Sequence, residues 1–459
     1  MKKKIALLLV LCMFMVSFSG CTHKSNTVEK ENESEVQENT DDNESKNQEA
    51  EDFEAEILNK EIKEQQDKII AETENGTFKI GINKNPMADG DFSEVIKDIS
   101  ETFRGKDSRY VNLRSCDISS CDISSVKYFD FNSRTVWPEN LPEGFNPQEI
   151  LELNKDPGLN LKKLHEDGIT GKGVNVAIID AGLLVKHQEY GDRLKYYDEI
   201  HYGSPAAQMH GLAVSSIAVG KNTGVAPEAN LYFIASDNYN VIGSETEGDF
   251  TWTALAIKRI LKVNEQLPEG DKIRVLSIST MSTPNLKGYD EFIEAINEAK
   301  AQNIFVASLN LFETYKHNFQ GLAIARNADK NNIDNYSIIG WKDWCNAVSH
   351  IGDSDEYYAE KFKAEKPKDF LLIPIDCKTL ASESGNDEYV FFEQGGWSWC
   401  VPYISGLYAL CCQVNKDITP EEFWSKALET GDERQFENDG VSCTGKIVNP
   451  EKLIEAVKK

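Results

Sequence analysis

The stretch GITGKGVNVAIID, residues 168–180, contains the clearest fold signal in the sequence. Its second half, Val174 to Ile179, is a short uncharged run rich in β-branched residues, which is typical of a strand buried on both faces of a parallel sheet. The run ends abruptly in Asp180. Because side chains that carry chemistry gather at the carboxyl ends of strands in open α/β sheets, Asp180 is a candidate site residue. An ordinary turn aspartate is the alternative.

Strand-like and helix-like segments alternate downstream. MHGLAVSSIAVG (209–220) predicts a helix with His210 at its start, and GVAPEANLYFI (224–234) predicts a turn and a buried strand. VLSISTMS (275–282) and IFVASLN (304–310) predict two more strands, with a crossover helix at 289–300 between them. This alternation predicts an α/β fold, a doubly wound parallel sheet with helices on both faces.

The last pattern is GWSWCVPYISG, residues 396–406, which leads into the apolar helix predicted for 407–414. Together the patterns resemble the subtilisin-like serine proteases over residues 151–459. That family has an Asp-motif strand, an H-G-T-H-V-A-G helix, a G-V-A-P turn, an S-x-G-G strand, an A-A-G-N strand and G-T-S-M-A-S-P. All six have counterparts here, in the family's order. The resemblance implies a serine endopeptidase with the catalytic residues Asp180, His210, Ser398 and Asn310.

The chemistry explains these residue types. A serine hydroxyl is a weak nucleophile at neutral pH and needs an adjacent base, so His210 is expected to take the proton of Ser398. Asp180 is expected to hold the imidazole in the right tautomer and to stabilise its protonated form. Asn310 matches the oxyanion-hole asparagine of the family, which donates to the negative charge of the tetrahedral intermediate. His187 is a weaker candidate for the base and is predicted to be a polar loop histidine.

The sequence departs from the family around the substrate groove. The glycines of S-x-G-G are Met281 and Ser282 here, and the glycine before the asparagine is Leu309. By resemblance, Ser279, Met281 and Leu309 are the substrate-binding positions. Side chains in place of glycines should narrow the groove. We therefore expect narrow specificity.

The first twenty residues predict a bacterial lipoprotein signal peptide. Lys2, Lys3 and Lys4 precede an apolar run of twelve residues, 5–16, which is too short to span a bilayer. Cys21 follows small residues, as in a lipobox, and is the predicted lipidation site. A simple secretory signal with an incidental cysteine is the alternative. The resulting expectation is an extracytoplasmic protein anchored to the bacterial cell membrane by its lipid.

Two segments separate the signal from residue 151. Residues 21–56 predict an acidic disordered tether, because residues 29–75 contain 18 acidic side chains against 5 lysines and few apolar groups. A short amphipathic helix is predicted within 53–70. Residues 57–150 predict an accessory or prosegment-like region with short strands, including two turns or strands at the duplicated CDISS motif. We favour an accessory region that is not cleaved.

Composition excludes several classes of function. The 459-residue chain has a net charge of −27, which argues against nucleic acid as a partner. Its ten cysteines form no paired Cys-x-x-Cys motifs, so a zinc site is not expected. No cofactor is predicted; Asp353 and Asp355 could suggest calcium, but a solvated acidic loop is the preferred interpretation.

Two functions of different classes remain. The first is a membrane-anchored serine endopeptidase that acts on a polypeptide substrate. The second is a catalytically silent subtilase-fold lipoprotein that binds polypeptides in its groove. The presence of all four catalytic residue types favours the enzyme, because a binding protein does not need them.

Overall fold

The computed structural model describes residues 40–88, 94–95, 108–122, 130–242, 245–338, 370–438 and 441–459. The chain divides into two compact units, residues 1–62 with 342–365, and residues 63–341 with 366–459. Of the first unit, the structure describes residues 40–62, which are helical. Every feature described below from residue 63 onward belongs to the second unit.

The strands are short, as is usual in α/β proteins. In chain order they are β1 (Glu94–Val95), β2 (Val111–Asn112), β3 (Phe131–Asn132), β4 (Asn175–Asp180), β5 (Leu194–Glu199), β6 (Asn230–Ala235), β7 (Tyr239–Ile242), β8 (Glu245–Gly248), β9 (Ile273–Ile278), β10 (Phe305–Ser308), β11 (Asn318–Ile324), β12 (Tyr336–Ile338), β13 (Phe370–Pro374), β14 (Lys378–Ala381), β15 (Tyr389–Phe392), β16 (Asp432–Asn438) and β17 (Val441–Ile447).

The helices alternate with the strands through the middle of the chain. They are α1 (Thr40–Glu74), α2 (Pro147–Leu153), α3 (Leu161–Glu166), α4 (Met209–Val219), α5 (Thr251–Gln266), α6 (Tyr289–Ala301), α7 (Leu311–Tyr315), α8 (Cys400–Val414), α9 (Pro420–Thr430) and α10 (Pro450–Val457).

The central sheet has five parallel strands in the order β10-β9-β4-β6-β5. Strand β4 lies in the middle, and Val176, Ala177 and Ile178 have no exposed surface. Two groups of helices pack against this sheet: α4 with α8, and α5 with α6. The predicted α/β fold, a parallel sheet with helices on both faces, is confirmed, and it places the carboxyl end of β4 at the centre of one sheet edge.

One predicted strand is shorter than expected. The run VLSISTMS predicts a strand to residue 282, but β9 ends at Ile278. Residues 279–282 leave the ladder, and the side chain of Asn310 replaces the missing strand partner of Ser282, as described below. The backbone N–H and carbonyl of Ser282 thus bind a side chain instead of a neighbouring strand.

The region before residue 150 contributes a strand to a sheet that it shares with the C-terminal part of the chain. Strand β3 pairs antiparallel with β15 in a three-stranded sheet of order β14-β15-β3. Phe131 is fully buried there, and its ring centroid lies 5.3 Å from that of Phe391 and 5.4 Å from that of Trp137. A turn leads into the first residue of each copy of the CDISS motif: Cys116 N–H donates to the Leu113 carbonyl, and Cys121 N–H donates to the Ile118 carbonyl. The last three residues of the second copy, 123–125, lie outside the described residues.

An upstream segment, residues 81–87, runs along the outer edge of β5. Tyr197 N–H donates to the Gly81 carbonyl at 2.9 Å, and Asn83 N–H donates to the Tyr197 carbonyl at 3.0 Å. Further along, Met87 bonds through its backbone to Pro205 and Ala207, just before α4 begins. This segment therefore covers a sheet edge that would otherwise expose unpaired backbone groups.

Helix α1 is longer than the sequence predicts. It begins at Thr40, so the prediction of a disordered tether was wrong over residues 40–56. The physical reason is the high helix propensity of the Glu, Lys, Gln and Ala residues that dominate this segment. The predicted signal peptide, Cys21 and the remainder of the tether lie outside the described residues. Across the part of the chain that the structure describes, no helix combines the length and apolar character needed to cross a membrane.

Candidate active site

Asp180 and His210 meet at the carboxyl edge of the central sheet. Asp180 is the last residue of β4, and His210 is the second residue of α4. The Nδ1 atom of His210 lies 2.6 Å from Oδ1 of Asp180, a distance typical of a short charge-assisted hydrogen bond. The Asp180 side chain is 6% exposed and that of His210 is 27% exposed. The pair is therefore desolvated on the Asp180 side and accessible on the His210 side.

Gly211 allows this approach of helix to strand. A Cβ atom at this position would lie 1.8 Å from the carbonyl oxygen of Ala181, far inside contact distance. Only glycine lets the first turn of α4 rest against the end of β4. The His-Gly pair of the sequence motif thus has a steric reason as well as a chemical one.

The ionisation of His210 is tuned by two opposing effects. Burial by itself lowers the pKa of the imidazole, whereas the charge of Asp180 and its hydrogen bond raise it. The raising effects win, and the pKa of His210 lies above its ordinary value. Because Nδ1 is bound to Asp180, Nε2 is the nitrogen that can accept a proton from a nucleophile.

Ser398 lies in a single helical turn, Trp397–Trp399, that leads directly into α8. This turn contacts α4, the helix that begins with His210, and its serine is half-buried. Among the described residues, no direct hydrogen bond joins His210 to Ser398, and such bonds are often loose in enzymes without substrate. Cys400 is no rival nucleophile, because burial raises the pKa of its thiol and keeps it protonated.

Both polar atoms of the Asn310 amide bind other groups of the protein, which the sequence does not reveal. Its Nδ2 donates to the Ser282 carbonyl at 2.8 Å, and its Oδ1 accepts from Ser282 N–H at 2.8 Å. A longer contact of 3.4 Å joins Nδ2 to the Glu313 carboxylate. Asn310 is 1% exposed. Its oxyanion-hole role remains a prediction, and in this conformation both ends of its amide are occupied.

The predicted substrate-binding residues lie at the ends of β9 and β10. Leu309 N–H donates to the Thr280 carbonyl at 3.3 Å, so the two strand ends lie side by side. Met281 and Leu309 are half-buried, whereas Ser279 is 3% exposed. The structure brings these three positions together near Asn310, and their contact with a substrate remains a prediction.

Other candidates take structural roles. His187 was predicted to be a polar loop histidine, but it is fully buried: its Nε2 lies 3.0 Å from the Glu388 carbonyl and its ring stacks on Tyr190.

Six cysteines in the described part of the chain are free thiols, and no group of three or more metal-ligating residues occurs there. Asp353 and Asp355 lie outside the described residues.

Comparison with known proteins agrees with this geometry. Residues 171–310 match the model of the Subtilase family. Residues 171–310 therefore form a segment similar to the subtilases. The matched segment of this family of serine proteases includes Asp180, His210 and Asn310, whereas Ser398 lies beyond it.

Two curated relatives have similar sequences. Serine protease AprX of Bacillus subtilis (strain 168) is 24% identical over 315 residues, which is 62% of this chain and 67% of the relative. Subtilisin-like protease 1 of Pseudogymnoascus destructans is 25% identical over 269 residues, 58% of each chain. The chain thus spans only about three fifths to two thirds of the length of these relatives. Among solved structures, it is similar to the prenylagaramide maturation protease PagA, at 17% identity and a TM-score of 0.43, covering 65% of this chain and 98% of that one.

Proposed function

We propose that this protein is a membrane-anchored, extracytoplasmic serine endopeptidase that hydrolyses peptide bonds with narrow specificity. The observation that carries the proposal is the 2.6 Å contact between Asp180 and His210 at the carboxyl edge of the sheet, with the Ser398 turn against the same helix. This is the arrangement that a serine nucleophile and its base require.

The proposed reaction has two halves. Ser398 Oγ attacks the carbonyl carbon of the scissile bond while its proton passes to His210 Nε2, and a tetrahedral oxyanion forms. His210 then gives that proton to the leaving amine, and an acyl-enzyme remains. Water then attacks the acyl carbon as its proton passes to the same imidazole; the ester bond to Ser398 Oγ breaks, His210 returns the proton to Oγ, and the acid product leaves. Asp180 stabilises the imidazolium in both halves, and no cofactor takes part.

The location of the protein is proposed from its sequence alone. Cys21 follows an apolar segment of signal-peptide length, so a lipid on its sulfur would attach the chain to the membrane. The partners are then a polypeptide substrate and the membrane, with no nucleic acid. Cys21→Ser should move the protein from the membrane fraction to the medium, whereas Cys116→Ser should leave it membrane-bound.

A fluorophosphonate probe tests the catalytic proposal directly. In such probes the serine oxygen attacks phosphorus and displaces fluoride, a reaction that requires an activated serine, so the wild type should be labelled and Ser398→Ala should not. Ser405→Ala is the matched control, because Ser405 lies on the following helix with its hydroxyl bonded to the Val401 carbonyl at 2.8 Å. Labelling of Ser398→Ala, or failure to label the folded wild type, would reject the proposed activity.

A catalytically silent, polypeptide-binding protein is the second candidate. The observation in its favour is Asn310, whose amide is occupied by the Ser282 backbone. An unreactive wild type that still binds unfolded polypeptide would select this function. A reactive Ser398 would select the enzyme.

A further inference from the structure

The loop that delivers Ser398, residues 393–399, is held by two carboxylates from distant parts of the chain. Asp130 Oδ1 accepts from Glu393 N–H at 2.9 Å, and Asp376 Oδ1 accepts from Gly395 N–H at 2.8 Å. The carbonyl of Glu393 accepts from Cys377 N–H at 3.0 Å. The backbone of the loop is therefore anchored at three points within the five residues before Ser398.

Steric contacts leave this loop little freedom. A Cβ atom at Gly395 would lie 2.3 Å from the Ile375 carbonyl oxygen and 2.6 Å from the Trp399 ring. The Glu393 carboxylate, in turn, binds the Arg326 guanidinium, with contacts of 3.0 Å from Nε and 2.6 Å from Nη2. Because the loop is pressed against its neighbours, a shift at Gly395 would be passed on to Ser398 three residues later.

Asp376 is buried, and burial disfavours the charged form of its carboxyl group. It is 7% exposed, and burial raises its pKa to about 7, although the Gly395 N–H and the Lys378 ammonium partly offset the effect. The nearby carboxyl groups of Glu393 and Asp130 contribute to the same rise of the pKa. In either protonation state an oxygen can accept from Gly395 N–H, so the contact does not depend on the charge.

We infer that Asp376 and Asp130 are positioning residues, which hold the Ser398 turn in its reactive place through the backbone of Gly395 and Glu393. The inference rests on the proposed function. Misplacement of a reacting group by about 1 Å can cost on the order of 10²-fold in rate. Neither carboxylate touches the substrate in this proposal, since each acts through a backbone N–H of the loop.

The test compares the full-length wild type with Asp376→Ala, Asp376→Asn and Asp130→Ala. Asp387→Ala is the matched control, because Asp387 is an exposed carboxylate before β15. We expect the maximal rate of phosphonylation by the fluorophosphonate to fall about 10- to 100-fold in both alanine variants, with little change in the probe concentration at half-maximal rate. Asp376→Asn, which keeps an acceptor oxygen, should regain most of the rate. The control should match the wild type.

Amide hydrogen exchange over residues 393–399 provides a readout that needs no activity. It should become faster in Asp376→Ala and Asp130→Ala than in the wild type and Asp387→Ala. If amide exchange and phosphonylation are both unchanged in the folded alanine variants, or if Asp376→Asn reacts as slowly as Asp376→Ala, the positioning role is wrong. If the wild type is not labelled by the probe but amide exchange changes in the variants as expected, the proposed activity is rejected instead. Asp130→Ala carries the test if Asp376→Ala does not fold.

Discussion

The side chain of Asn310 and the backbone of Ser282 bind each other at both ends, with two hydrogen bonds of 2.8 Å each. These two bonds resemble the pair of hydrogen bonds that joins opposite residues of neighbouring strands, and they lie beyond the end of β9. It explains how Ser282 can be fully buried outside a strand without unsatisfied backbone groups. It also means that donation to an oxyanion requires the amide to exchange one of its present partners.

Asn310→Ala should therefore lower both stability and activity. Two buried backbone groups of Ser282 would lose their partners, which we expect to reduce the free energy of unfolding by about 2 kcal/mol or more. If Asn310 also serves the oxyanion, kcat should fall by about 10²–10³-fold. Denaturant unfolding and peptide turnover measure the two effects separately. The exposed Asn285→Ala is the control, and a variant as stable as the wild type would contradict the structural role.

The pKa of His210 should reverse its direction when Asp180 is removed. In the wild type the pKa is raised, so the acid limb of kcat/KM should lie above the ordinary histidine value of about 6.5, because only the neutral imidazole acts as a base. In Asp180→Ala the effect of burial alone remains, and the pKa should fall below that value. NMR titration of the His210 ring would detect both. An unchanged titration in Asp180→Ala would rule out the assigned coupling, and Asp192→Ala serves as the exposed control.

The groove should discriminate strongly against generic substrates. Met281 and Leu309 replace glycines of the family motifs and lie at adjoining strand ends. We expect casein to be cleaved slowly or not at all, whereas Ser398 should still react with small electrophiles. Met281→Gly combined with Leu309→Gly should raise peptide turnover, by an amount bounded by about 1–3 kcal/mol of pocket fit.

The fluorophosphonate rate of this double variant is the internal control, since a small probe does not need the groove. The added glycines should lower stability by freeing the unfolded chain. Rapid casein digestion by the wild type, or a folded double variant with no gain in peptide turnover, would show that these side chains do not narrow the groove.

The region before residue 150 should remain attached to the mature protein. A chain that begins at residue 151 loses β3, Asp130 and the buried Phe131, and we expect it not to fold. Phe131→Ala alone should lower the free energy of unfolding by about 3–5 kcal/mol, the usual range for a buried phenylalanine. Leu153→Ala, at a side chain that is 46% exposed, is the control.

N-terminal sequencing of the active protein checks the same point without mutation. A mature N-terminus near residue 150 would mean that the upstream region is a removable prosegment. A stable, active chain beginning at residue 151 would lead to the same conclusion.

The positions of Asp180 and His210 could be predicted because they depend on local patterns. A short uncharged run that is typical of a buried strand ends at Asp180, and small residues follow His210 in a segment that predicts a helix. Once the strands are parallel, their carboxyl ends must share one edge, so the meeting of these two residues follows from the topology. The predicted helix within 53–70 is shorter than α1, because the prediction rests on the negative charge of the segment rather than on the helix propensity of its Glu, Lys and Gln residues.

A signal for Asp376 was present in the sequence and was missed. Asp376 interrupts the apolar run LLIPI, residues 371–375, in the same way that Asp180 ends its own strand. A buried carboxylate at a strand end needs a partner, and this pattern alone could have marked it for attention. What the pattern could not supply was the partner's identity.

Sequence by itself predicted the α/β class, the resemblance to the subtilases and the pairing of Asp180 with His210, because these follow from apolar patterns and motif order within short windows. Tertiary structure alone decided which groups those residues touch. Asp130 and Glu393 are 263 positions apart, and Asn310 and Ser282 are 28 apart, yet each pair is joined by hydrogen bonds. Such contacts depend on the relative placement of strands and loops after the chain has packed, and neighbouring residues in the sequence carry no record of that placement.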